Sequence, residues 1–83
     1  MYFTYIIYSK KIDKYYAGFT ADLVKRLRQH GKDKKKFTGR SDDWELVRFF
    51  EFETKSEAMK LETLIKKRSI KRFLVDISNN IVL

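Results

Sequence analysis

The sequence predicts an α/β protein of the α+β kind: a small three-stranded, antiparallel-type sheet with helices packed on it, in the order β-β-α-β-α-α. Two β-branched and aromatic segments, "YFTYIIY" and "YYAGF", stand on either side of a short polar turn and read as a hairpin. Further along, apolar residues recur at helical spacing in three segments, with an aromatic-rich strand pattern between the first and second.

Tyr2–Tyr8 is apolar throughout and reads as a buried strand. Ser9–Lys14 is the turn, and Tyr15–Phe19 the second strand. Gly18 within that strand suggests a bulge or a point where something approaches the backbone. A helix begins near Thr20 to Asp22 and ends at Gly31, a C′ glycine. Lys32–Asp43 is a polar, basic loop. Trp44–Glu53 is the third strand; Trp44, Leu46, Phe50 and Phe52 share one face, and Val47 and Phe49 make the other partly apolar, which predicts cover on both sides near its middle. Thr54–Arg68 is a helix with a capping box in which Thr54 caps and Glu57 reaches back. Ser69–Ile77 carries Ile70, Phe73, Leu74 and Ile77 at helical spacing.

With 83 residues the chain is expected to form one domain, residues 1–83, whose core draws on a 43% hydrophobic content. There is no cysteine, which excludes a disulfide framework and thiolate metal sites and fits a reducing, cytoplasmic setting. The N-terminus is apolar before it is basic, the wrong order for a signal peptide, and no apolar run approaches a membrane span. The net charge of +8 lies wholly in residues 1–40, with eleven Lys/Arg against three Asp/Glu; residues 41–83 hold eight of each. Lys25–Arg40 alone has eight basic residues and one acid, Asp33. Such a one-sided field attracts nucleic acid, although a solvated lysine-rich loop has the same composition.

On the first helix Leu23, Val24 and Leu27 make the apolar stripe, and Arg26 and His30, four apart, lie along its edge beside the hairpin. Each has a plain structural reading: the Arg26 stem covers apolar surface and His30 ends a helix. On the next helix Ala58, Leu61 and Ile65 form the core stripe, Met59 flanks it, and Glu62 falls on the buried side. A carboxylate there needs a counter-charge, a proton or a metal, and an i,i+4 pair with Lys66 is open to it. Tyr5 and Tyr16 sit on neighbouring strands; core packing accounts for most such tyrosines, while a nearby arginine or metal-bound water eases loss of a phenolic proton.

Together these positions resemble the GIY-YIG nuclease superfamily, and most closely its small single-domain bacterial members related to the nuclease domain of the excision-repair incision enzyme. "TYI" (Thr4–Ile6) stands for the first motif and "YAG" (Tyr16–Gly18) for the second, with Tyr5 and Tyr16 eleven apart. "GFTADLVKRLRQH" resembles the segment that carries an arginine and then a histidine or tyrosine, here Arg26 and His30; "SEAMKLE" resembles the one that carries the metal-binding glutamate, here Glu62. Thr4 replaces the glycine of the first motif, Ala17 replaces the isoleucine of the second, and the late asparagine of the superfamily has no clear counterpart in Asn79 or Asn80.

The resemblance implies an endonuclease that hydrolyses phosphodiesters in DNA with one Mg²⁺ (or Mn²⁺) per site held by Glu62. Arg26 would stabilise phosphoryl charge, Tyr5 would act as general base, and Tyr16 and His30 would orient the water or share its proton. Gly18 would let the backbone near the scissile strand. Lys32, Lys34, Lys35, Lys36 and Arg40 would hold flanking phosphates, and Phe37 is placed to stack on an unpaired base or to anchor its loop. With no separate recognition domain, sequence specificity is expected to be weak. The alternatives are a non-catalytic nucleic-acid-binding module of the same fold and a protein-interaction domain, the latter requiring the aromatic third strand to be an exposed edge. A protein partner in a repair or recombination assembly is a further expectation, a membrane partner is not.

Overall fold

The computed structural model describes residues 1–29 and 41–78. Strands β1 (Tyr2–Ser9) and β2 (Lys14–Thr20) form the expected hairpin, in unbroken antiparallel register from Phe3↔Thr20 to Ser9↔Lys14. Asp13 closes the turn with a φ of 51° and accepts a 2.5 Å hydrogen bond from the Tyr8 hydroxyl; aspartate is one of the few residues that visit this left-handed region readily. Strand β3 (Glu45–Phe52) pairs antiparallel with the other side of β1, so the order is β2-β1-β3, with a shift in register between Ile6 and Ile7.

Three helices follow the expected order. In α1 (Leu23–Gln29), Asp22 is the cap: its carboxylate accepts the Lys25 N–H at 3.0 Å and its carbonyl the Arg26 N–H at 3.0 Å. Leu23 and Leu27 are half-buried as the stripe requires, but Val24 is exposed, so the apolar face of α1 is narrower than expected. The expected end at Gly31 lies outside the described residues. Helix α2 (Lys55–Arg68) starts at Thr54, whose hydroxyl accepts the Glu57 N–H at 3.3 Å and lies 2.9 Å from the Glu57 carboxylate. Glu57 therefore reaches the Thr54 side chain, where a capping box would take it to the backbone N–H. Ser69, at a φ of 84°, breaks the helix and caps α3 (Ile70–Ser78), accepting the Arg72 N–H at 3.3 Å. The Arg68 guanidinium then pairs with Asp76 across the break.

The core lies between one face of the sheet and the last two helices, where Ile6, Ala17, Ile65 and Phe73 are fully buried. Thr4, in the same layer, donates its hydroxyl to the Ala58 carbonyl at 2.7 Å and so ties β1 to α2. On the opposite face Tyr5 and Ile7 are also buried. The strand covered on both sides is thus β1, as its unbroken apolar sequence implies.

The expectation of cover on both faces of β3 is corrected. Leu46, Val47 and Phe49 are 39%, 43% and 50% exposed, because β3 is an edge strand and only Phe50 and Phe52 turn partly inward. Phe50 meets Phe73 edge-to-face at 5.9 Å. Just before β3, Asp43 is clasped to the hairpin: the Ser9 and Ser41 hydroxyls donate to its carboxylate, as does the Lys11 N–H at 3.1 Å. These bonds, that of Ser41 first, hold the Asp43 carboxyl down at about 2.

Candidate active site

Tyr5, Tyr16, Gly18, Arg26 and Glu62, spread over four elements, line a single open cavity of about 320 Å³. Phe19, Thr20 and Ala21 also line it. The hairpin supplies the floor. The register sets Tyr5 opposite Gly18, and the strand period then places Tyr16 on the same face; the two rings are 6.5 Å apart.

The register also explains Gly18. A Cβ there would stand 2.7 Å from the Tyr5 hydroxyl oxygen, 3.0 Å from Cζ of the same ring and 3.2 Å from the Tyr16 ring. What approaches the backbone at Gly18 is therefore the Tyr5 phenol. No bulge lies at this position, since the β1–β2 register runs through it without a break.

Arg26 reaches the cavity because Thr20 and Asp22 shape the entry to α1. The Thr20 hydroxyl accepts the Asp22 N–H at 3.1 Å and lies 3.2 Å from the Asp22 carbonyl, a short side-chain turn that places the cap one helical turn before Arg26. The sequence places Thr20 at the start of this helix but not in the cavity wall, although a Thr two residues before an Asp cap is a recognisable turn signal.

Glu62 approaches from α2. Its side chain is 19% exposed and pairs at 3.6 Å with Lys66, the i,i+4 partner that the spacing permits. The Lys66 ammonium also stands 5.8 Å from the centre of the Tyr16 ring, within cation–π range. This second contact depends on tertiary packing and leaves no trace in the spacing. At the other end of α2, Lys55 stands 6.0 Å from the centre of the Phe19 ring.

The electrostatics correct one expectation. Burial pushes the Tyr5 phenol well above its ordinary pKa, and neighbouring Tyr16 adds to the rise. Arg26 pulls in the opposite direction and is outweighed, and the Glu62 carboxylate raises it further. Tyr5 thus holds its proton more firmly than a free tyrosine.

Among the described residues no group of three or more His, Asp or Glu side chains converges as a metal cage. Among the described residues the side-chain oxygen donors at the cavity are one carboxylate, two phenols and the Thr20 hydroxyl. Such a set suits a hard cation that keeps most of its water, as Mg²⁺ does, and not a closed tetrahedral site. His30, Lys32, Lys34, Lys35, Lys36, Phe37 and Arg40 lie outside the described residues.

A family model described as the GIY-YIG catalytic domain matches residues 1–73, a span that contains every residue of this cavity. UPF0213 proteins of Listeria monocytogenes serotype 4b (strain F2365) and Listeria innocua serovar 6a are each 37% identical to the chain over 60 residues, covering 71% of it and 67% of their own length. The solution NMR structure of the UPF0213 protein BH0048 from Bacillus halodurans superposes with a TM-score of 0.58 at 30% identity, covering 94% of this chain and 84% of that one.

Proposed function

The chain belongs to the GIY-YIG catalytic-domain family, a family of endonucleases, and from that membership we propose that it is a divalent-metal-dependent endonuclease that hydrolyses DNA with little sequence preference. The observation that supports this reading most is the meeting of Tyr5, Tyr16, Arg26 and Glu62 around one open cavity. A phosphate there would have a cation on one side, a carboxylate on another and two phenols below it. GIY-YIG nucleases are generally metal-dependent, and the donor set fits Mg²⁺ or Mn²⁺ held by Glu62 with water completing the shell.

When bound, the cation supplies Lewis acidity to the phosphate and to the departing oxygen. The Arg26 guanidinium offers planar, paired donors to the non-bridging oxygens as their charge grows, in a cavity walled partly by protein. Tyr5, kept protonated by burial, acts as a hydrogen-bond donor that orients the attacking water or a phosphate oxygen. That assignment passes acceptance of the water's proton to the His30 imidazole, with the Tyr16 hydroxyl able to relay it by giving up its own. The phosphate binds beside the Tyr5 hydroxyl, which the missing side chain at Gly18 lets settle against β2. The charge of residues 25–40 suits the flanking backbone, with contacts that carry affinity and little sequence information. We place the chain in the cytoplasm; among the described residues no helix is long and apolar enough to cross a membrane.

The test is cleavage of a labelled panel of duplex, flapped, branched and single-stranded DNA at low salt with Mg²⁺ or Mn²⁺, wild type beside Glu62→Gln. Metal-dependent cutting by wild type, lost by at least about a hundredfold in Glu62→Gln while DNA binding persists, is the expected result. Equal cutting by Glu62→Gln removes the metal assignment. Binding without cutting in either metal identifies a non-catalytic binding module.

A further inference from the structure

Lys55, Met59, Glu62 and Lys66 occupy positions i, i+4, i+7 and i+11 of α2 and so form one stripe along the helix. Glu62, which lines the candidate active cavity, stands between the two lysines. Both lysines also touch that cavity's aromatic walls: Lys55 lies over the Phe19 ring at 6.0 Å, and Lys66 over the Tyr16 ring at 5.8 Å. Beyond Lys55 a groove of about 590 Å³ continues along the same helix, bounded by Lys55, Ser56, Met59, Lys60 and Thr63. The cavity and the groove thus adjoin at the Lys55–Phe19 contact.

Helix stability does not account for this pattern. Lys55 is the first residue of α2, where the positive end of the helix dipole disfavours a cation. Lys66 does have a helical role, since it lies in the last turn and pairs with Glu62. Yet a paired lysine that also stands over a cavity wall is held where a phosphate beside Glu62 would meet it.

We infer that the Lys55–Lys66 stripe of α2 is a backbone-binding track for the nucleic acid strand that is cut, with Lys66 and Lys55 holding phosphates on opposite sides of the one at Glu62. This rests on the nuclease reading of the cavity. The two lysines are separated by about 16 Å of helix rise, the advance of roughly five nucleotides along one strand of a duplex. The track is separate from the basic segment of residues 25–40. It gives the strand a direction across the site and the otherwise neutral half of the chain a part in binding.

The experiment measures binding of a labelled 20-base-pair duplex by fluorescence anisotropy in EDTA, across a fourfold range of salt. It compares wild type, Lys55→Met, Lys66→Met, Lys66→Arg, the double methionine variant and Lys71→Met; methionine keeps an apolar stem and removes the charge. Each stripe variant should lower the slope of log K against log salt by about 0.9, and the double variant by about 1.8. Lys71→Met, on exposed α3 surface off the stripe, should leave the slope unchanged, and Lys66→Arg should restore it. Stripe variants that keep the wild-type slope, or that match Lys71→Met, overturn the track and leave the nuclease reading standing. Wild type that binds no nucleic acid in any salt overturns both.

Discussion

The sheet has two edges, and they are built differently. At the β2 edge every residue from Lys14 to Thr20 pairs in register with β1, and Tyr16, Gly18, Phe19 and Thr20 line the cavity. At the β3 edge the register with β1 shifts once, and Leu46, Val47 and Phe49 face solvent. Both strands read as apolar and aromatic, so composition does not separate them. The difference lies in what packs beyond each strand: α1 and α2 bring Arg26 and Glu62 to the β2 edge, and nothing among the described residues buries the outer face of β3. An edge strand that interleaves Arg48 and Glu51 with its apolar residues resists pairing with a second sheet. The exposed edge that the protein-interaction alternative requires is therefore present, and its charges guard it against pairing with a second sheet.

Substitutions at matched places on the two edges sharpen this contrast. The largest effect is expected from Gly18→Ala at the β2 edge. Its methyl meets the Tyr5 hydroxyl at a distance that real Cβ atoms do not tolerate, so the ring must move. Cleavage should fall by about 10- to 100-fold, because a misplaced group of this kind is costly even when the fold survives. Circular dichroism and a thermal melt run beside the assay separate loss of the site from loss of the fold; wild-type rates with a wild-type melt would show that the Tyr5 position is immaterial.

At the β3 edge the expected effect is on stability alone, and it depends on the face. Phe50→Ala, which loses the contact with Phe73, should cost about 2 kcal/mol, below the range for a fully buried phenylalanine because Phe50 is only partly buried. Phe49→Ala, half exposed and touching Phe3 edge-to-face at 6.2 Å, should cost less than about 1 kcal/mol. Urea melts of the pair decide it: equal losses would mean that the outer face of β3 is covered in solution.

The smallest effect is one of pH. The Asp43 carboxyl is held at about 2 by the Ser41 and Ser9 hydroxyls, below an unfolded value of about 3.9. A depressed carboxylate stabilises the fold fully above the unfolded value and loses that contribution as pH falls through the folded one. Between about pH 4 and pH 2 the melting temperature of wild type should therefore drop more steeply than that of Asp43→Asn. Parallel curves over that window would show that the clasp between β3 and the hairpin contributes nothing to stability.

Much of this was legible from residue order. The β-branched run of β1, the Thr54 cap and the i,i+4 pair of Glu62 with Lys66 are local features, and each appears where the spacing puts it. The motif tyrosines, Arg26 and Glu62 were legible for the same reason, because each occupies a fixed place on its own strand or helix. What escaped was set by the third dimension. The two-sided apolar pattern of β3 cannot reveal that the strand is an edge, and Val24 fits an apolar stripe yet is 61% exposed. The ease of ionising Tyr5 was misjudged because a nearby arginine is visible in sequence and the depth of burial is not.

The bond from Thr4 to Ala58 has a mechanical consequence. An α-helix lying on a sheet can turn about its own axis, and each residue's worth of turning swings a side chain through about 100°. The Ala58 carbonyl that receives the Thr4 hydroxyl is also, by helical geometry, the partner of the Glu62 amide one turn later. One oxygen thus joins the central strand to the residue that carries the carboxylate, and it sets the azimuth at which Glu62 leaves the helix. A glycine at position 4 would leave that angle to the shape of apolar contacts such as those of Ala58, Leu61 and Ile65, whereas threonine indexes the helix to the strand as a key indexes a shaft.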